Sequence, residues 1–219
     1  MKKFKILNDI SIERNRRLEG RFIFDPHANV LWKNTLSLIS KNSEKERLLD
    51  AYFIAKSINY NHPGLAPEIY FSHPIRVASL AMLYYGKTNV DLAVLGLIHN
   101  IYELSDKNTD YVIRNFGEKI SNQILNLTVN RDLQWDQNYK RSYYKKIEND
   151  SLETCIVKIM DKLDNLFILG LNPDKEIKIK YLQEIEKFVL PLAKKVTPEL
   201  HGYIKNLVED NYNIGFNLK

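Results

Sequence analysis

A helix that is nearly all apolar must be enclosed by other helices, and residues 90–102 read as such a helix, with Asp91 in its first turn. Leu92, Ala93, Leu95, Gly96, Leu97 and Ile98 leave it no polar face before His99-Asn100. It is a central, buried element around which the remaining chain must pack. No stretch reaches about eighteen apolar residues without a charge, so no membrane span is expected. The 219 residues, 44% of them hydrophobic, suffice for one domain with its own core.

Helical periodicity surrounds this element. Residues 1–42 read as an N-terminal helical extension suited to packing or oligomer contact. It holds a short basic helix at 10–18, an extended Arg21-Phe22-Ile23-Phe24, a turn at Asp25-Pro26 and a helix at 31–39. Ser43 caps a helix whose stripe of Leu48, Leu49, Tyr52, Phe53 and Ala55 runs to about Ile58. The prolines at 63 and 67 forbid regular helix over 61–67. Pro74 fits the first turn of a helix to Tyr85, and Asn89 or Thr88 caps the central one. Helices follow at 110–116 and 118–128, split at Gly117, then a polar loop at 129–138 and a basic, Tyr-rich helix at 139–148. Ser151 or Asp150 caps a helix carrying Ile156, Ile159, Met160, Leu163, Leu166 and Phe167. Pro173 opens a long helix to about 194, which Pro191 bends or ends, and Pro198 opens the last. No sheet or internal repeat is expected. The reading is one all-α helical bundle over 43–210, with a tail at 211–219.

The net charge of +5 suits a phosphorylated small molecule or a weak nucleic-acid contact and selects neither; a phosphorylated nucleotide is the expected partner, and nucleic acid is not. The single Cys155 excludes an internal disulfide framework and a thiolate metal cluster. No apolar leader region follows the basic Met1-Lys2-Lys3 start, so a cytoplasmic protein is expected.

Three distant patches carry candidate chemistry. They are Ser72-His73-Pro74, His99-Asn100 with Glu103, and Asp161-Lys162-Leu163-Asp164-Asn165. Each lies in or beside an apolar helical run. A carboxylate between Met160 and Leu163 needs a partner or a metal. Imidazole with carboxylate suits Mn, Fe, Co, Ni or Zn better than Ca. Each residue alone has an ordinary reading as well. His99 can be a hydrogen-bonded core histidine, Asp161 can pair with Lys158 or Lys162, and His73-Pro74 can close a loop.

Four stretches within residues 45–195 resemble the HD-domain hydrolases, above all the RelA/SpoT type that removes pyrophosphate from the 3′ position of (p)ppGpp. They are Tyr70-Phe71-Ser72-His73-Pro74-Ile75-Arg76-Val77-Ala78, then Gly96-Leu97-Ile98-His99-Asn100-Ile101-Tyr102-Glu103, then Asn115-Phe116-Gly117 with Leu127-Thr128, and residues 157–166 around Asp161. The resemblance implies an all-helical HD fold and one divalent ion, typically Mn, per chain. It places His73, His99, Asn100 and Asp161 at the metal-ligand positions, Asn100 and Glu103 in catalysis, and Asn165 at the nucleotide sugar.

The sequence departs from that family where charge matters. The family carries Asp where this chain has Asn100, and a second acidic residue where it has Leu104. A basic residue that packs on guanine is replaced by Asn61-His62-Pro63-Gly64-Leu65, leaving His62 as the candidate to stack. Ile168 stands where a hydroxyl residue is usual. Lys140, Arg141, Lys145 and Lys146, interleaved with Tyr139, Tyr143 and Tyr144, form a patch able to grip phosphate or to lie solvated over packed Tyr rings. Two functions are therefore expected: a metal-dependent phosphohydrolase acting on a nucleotide, without a second catalytic module, or an inactive HD protein that binds a nucleotide or a protein partner.

Overall fold

Asp9 and Asp25 open the first two helices of the computed structural model, which describes residues 7–85 and 89–213. Their carboxylates accept from Ser11 N–H and His27 N–H, satisfying donors that a helix start leaves unpaired. Helix α1 spans Ile10–Glu19 and α2 spans Pro26–Ser37. Asp25-Pro26 thus starts a helix instead of closing a turn, because proline's missing N–H costs nothing at a first helical position. Residues 21–24 are not extended. Arg21 and Phe22 donate to the last carbonyls of α1, Leu18 and Glu19, and the chain turns there. Helix α3 (Asn42–Lys56) starts one residue before Ser43, with no side-chain cap, and its Phe53 points outward at 62% exposure.

The candidate site is built by α4 (Pro67–Tyr70), α5 (Ser72–Tyr85), α6 (Val90–Ile98) and α7 (Ile101–Leu104). Asn89 caps α6 through Leu92 N–H; Thr88 lies outside the described residues, as do 1–6 and 214–219. Helix α6 is the central one, packed on α3, α5, α9 (Glu118–Leu127) and α11 (Leu152–Phe167). Helix α8 (Thr109–Phe116) precedes α9, and Gly117 between them has φ +93°, a conformation that side chains rarely adopt. The rest is α10 (Gln137–Glu148), α12 (Lys175–Glu184), α13 (Leu190–Val196) and α14 (Pro198–Asn213). No strand occurs among the described residues, and none of their helices is long and apolar enough to cross a membrane.

Two helices depart from their expected course for identifiable reasons. The helix over 90–102 is interrupted at His99-Asn100. His99 Nδ1 donates to Gly96 O at 2.7 Å, the carbonyl that a continuing helix would offer to Asn100 N–H. Asn100 sits at φ −103°, ψ 12°, and α7 restarts after it. At the other end of the chain, Pro191 does not end its helix. A π-helical turn at Ile185–Val189 joins α12 to α13, so the ladder adjusts just before the residue that has no N–H to donate. Asp174, not Pro173, marks the start of α12, accepting from Glu176 and Ile177 N–H.

Gly96 sets the distance between α5 and α6. A methyl group placed on it would meet Ala78 Cα at 2.6 Å and Ala78 N at 2.9 Å. Both are backbone atoms, so no side chain can swing aside. Gly96→Ala is therefore expected to cost about 1–3 kcal/mol by pushing the two helices apart. Urea unfolding of the variant measures it.

Candidate metal centre

The close approach of α5 and α6 brings His73 from the first turn of α5 against His99 from the end of α6. Their rings lie edge to face, 5.2 Å between centroids. Asp161, on the buried face of α11, completes the group. One ligand atom from each of His73, His99 and Asp161 lies within 4.8 Å of the others. Asp161 Oδ1 is 3.4 Å from His73 Nε2 and 3.6 Å from His99 Nε2.

Hydrogen bonding at the other ring nitrogens fixes what these atoms can do. His73 Nδ1 is 2.8 Å from Asp164 Oδ2, and His99 Nδ1 is 2.7 Å from Gly96 O. Both partners are acceptors, so each Nδ1 carries the proton and, in a neutral ring, each Nε2 presents a lone pair. Both Nε2 atoms are buried and have no hydrogen-bond partner. Two lone pairs converging on a carboxylate oxygen form a donor set for a cation, and the combination N, N, O suits a transition divalent ion. The residues present fit a metal.

Charge is distributed accordingly. Burial works against the Asp161 carboxylate, but Lys158, His73 and His99 hold its pKa well below the usual range. Lys158 Nζ takes Oδ2 at 3.1 Å and Asn165 Nδ2 donates to Oδ1 at 2.8 Å. Burial also opposes protonation of His73, yet the neighbouring carboxylates of Asp161 and Asp164 raise its pKa above 6.5. The sign of the consequence differs with and without metal. In chelator-treated protein the stability supplied by charged His73 is complete below pH 6.5 and is lost as pH rises through the raised folded value. Metal uptake runs the other way, because proton and metal compete for Nε2. Uptake measured against pH is expected to fall on acidification, as the proton displaces the metal from His73 Nε2.

The centre lies beside an open cleft of about 650 Å³. Among the lining side chains, six Arg and Lys face two Glu, and His62, Tyr70, Trp135 and Tyr181 add aromatic surface. Lys140 and Lys162 share the single carboxylate of Glu184. Burial opposes that carboxylate's charge, but the two ammonium groups bring its pKa down to about 2. Burial, with Lys162 nearby, lowers Lys140 to about 8. One carboxylate for two ammonium groups leaves this wall with positive charge to offer an anion.

Residues 70–166 match the HD domain. The segment contains His73, His99 and Asp161. The chain is 24% identical over 190 residues to a guanosine-3′,5′-bis(diphosphate) 3′-pyrophosphohydrolase of Borreliella burgdorferi, covering 82% of this chain and 28% of that protein. It is 27% identical over 138 residues to a protein of the same description from Drosophila melanogaster, covering 63% of this chain and 74% of the other. A solved structure, described as a metazoan ortholog of SpoT that hydrolyzes ppGpp and plays a role in starvation responses, superposes with a TM-score of 0.61. It covers 79% of this chain and 97% of that one at 21% identity, a likeness of fold.

The other sequence candidates occupy varied places around the His73, His99 and Asp161 cluster. Asn100 lines the cleft, and its Nδ2 donates to Tyr70 Oη at 3.0 Å. That bond leaves Oδ1 as the amide's acceptor toward a further partner. Glu103 also lines the cleft, but both of its oxygens are engaged. Oε1 accepts from Val129 N–H at 3.0 Å, and Oε2 pairs with Arg131 at 2.5 Å. His62 stacks on Tyr70 with centroids 4.9 Å apart. Asn165 bonds Asp161 and faces the cleft. Helix α10 divides the basic patch. Lys140, Tyr143, Tyr144 and Ile147 are buried at helical spacing, whereas Arg141 and Lys145 are exposed and do not line the cleft. Sequence reasoning gave no role to Asp164, Arg17 or Trp135. Asp164, a second carboxylate three residues after Asp161 on an apolar helix, was the available signal.

Proposed function

We propose that the protein is a divalent-metal-dependent phosphohydrolase acting on a phosphorylated nucleotide, with a (p)ppGpp-type 3′-pyrophosphate as its first candidate substrate. The observation that carries this reading is the pair of buried, unpartnered Nε2 atoms converging on Asp161 beside a basic cleft. His73, His99 and Asp161 hold the ion, with Asn100 Oδ1 as a neutral fourth group. When bound, a Mn-like ion supplies the Lewis acidity that activates water for attack at phosphorus. The chain's own groups do the rest. Lys140 and Lys162 hold the phosphate charge, and Trp135 and Tyr181 offer faces for a base. Asn165 keeps Asp161 in place and meets the sugar. Glu103 directs the water once its bond to Arg131 has yielded to substrate.

The relatives named as guanosine-3′,5′-bis(diphosphate) 3′-pyrophosphohydrolases support the substrate class. The test is release of pyrophosphate from ppGpp with Mn present and with EDTA. Turnover with Mn and its loss with EDTA support the reading. No metal-dependent turnover of any phosphorylated nucleotide contradicts it.

The engagement of Glu103 by Arg131, together with neutral Asn100 and apolar Leu104, favours a second reading: nucleotide binding without turnover. Calorimetric titration with nucleotide in EDTA separates the two. Saturable binding without hydrolysis supports the second, and absence of binding contradicts it.

A further inference from the structure

Asp164 lies one turn beyond Asp161 on α11, and its side chain is 1% exposed. Four nitrogens from three side chains converge on this carboxylate. His73 Nδ1 lies 2.8 Å from Oδ2 and Arg17 Nε donates to Oδ1 at 2.6 Å. Arg76 brings Nε to both oxygens, at 3.0 and 3.1 Å, and Nη2 to Oδ2 at 3.0 Å. Burial opposes the Asp164 charge, and Arg76, Arg17 and His73 outweigh it.

The two arginines are themselves held. Arg76 Nη1 donates to Asp25, whose backbone N–H donates to Ser72 Oγ beside His73. Arg17 Nη1 donates to the Glu13 carboxylate and backbone carbonyl, and its guanidinium lies 4.1 Å from the Phe167 ring centroid. Asp164 is thus locked from behind by α1 and by α5, with the start of α2 bracing Arg76. Its remaining function is on the side that faces His73.

A carboxylate that takes a histidine's Nδ1–H fixes the ring's tautomer, aims Nε2 and makes that nitrogen a stronger donor. His99 has only a neutral carbonyl in this role. The two histidines of the centre are therefore unequal. We propose that Asp164 is a positioning residue of the metal centre, acting through His73. The inference rests on the metal reading given above.

Cobalt(II) titration of the full chain, followed by its visible spectrum, tests it. Asp164→Asn alone would leave two buried arginines short of a counter-charge. The main variant is therefore Arg17→Met with Asp164→Asn, which removes one charge of each sign. Arg17→Met alone is the control, since Asp164 then keeps Arg76 and His73. The paired variant is expected to bind cobalt about 10- to 100-fold more weakly, with an altered spectrum. The control is expected to stay within about threefold of the wild type, because the outer partner of His73 is intact. Wild-type affinity and spectrum in the paired variant would overturn the role of Asp164 while leaving the metal reading in place. A wild-type chain that takes no cobalt would remove both.

A second measurement is independent of any variant's folding. In the zinc-loaded wild type, long-range proton–nitrogen NMR is expected to show His73 protonated at Nδ1 and metal-bound through Nε2. Binding through Nδ1 would overturn the proposal.

Discussion

His99→Ala is expected to bring metal binding below detection and to lower hydrolysis by about a thousandfold, equivalent to roughly 4 kcal/mol of transition-state stabilisation. The substitution removes a buried Nε2 that has no other partner, so nothing in the protein compensates. It also removes the bond to Gly96 O that interrupts α6. The freed carbonyl can then accept from Asn100 N–H, and the helix can run on through the junction, carrying Asn100 out of register. A loss of unfolding free energy of about 1–3 kcal/mol should accompany the loss of metal, from the cavity and the broken bond. Isothermal titration with Mn, together with urea unfolding in EDTA, separates the two effects. Retained metal affinity in a folded His99→Ala chain would mean that the cluster is not the metal site.

Asn100→Asp is expected to act in the opposite direction, raising metal affinity roughly 10- to 100-fold and raising turnover with it. A carboxylate offers a hard divalent ion a full negative charge where the amide offers one neutral oxygen. The local structure accommodates the change. Tyr70 Oη, which now accepts from Asn100 Nδ2, can rotate its proton to donate to a carboxylate. In metal-free protein the same substitution adds a charge near Asp161 and should lower stability, so the unfolding curves with and without Mn should move apart. Stability that rises in both states would contradict a metal role for this position.

Much of the bundle is written in the chain's apolar periodicity. The enclosure of α6 follows from a run with no polar face, and the 140, 143, 144, 147 spacing puts Lys140 inward and Arg141 and Lys145 outward. Periodicity misses what single side chains do to the backbone. The break after Ile98 comes from one imidazole-to-carbonyl bond, and the passage through Pro191 comes from a π turn placed just before it. The His73, His99 and Asp161 positions stood out as polar residues in or beside apolar helical runs, each with an ordinary reading of its own, and it was the family resemblance that joined them into one candidate metal set. Asp164 was hidden because its compensation is distant. Arg17 lies 147 positions away and reaches it only after α1 has packed on α11. The hold of Arg131 on Glu103 was hidden for a similar reason, since it arises from how the loop after α9 returns across the cleft.

The central claim is that His73, His99, Asn100 and Asp161 hold one divalent ion. Elemental mass spectrometry of the protein, purified without chelator or nickel affinity resin, tests it most directly. The account predicts about one Mn, Fe, Co, Ni or Zn per chain, with the metal released on acidification as Nε2 takes up protons. Less than about a tenth of an ion per chain after soaking in Mn, at a pH where His73 is neutral, would contradict it.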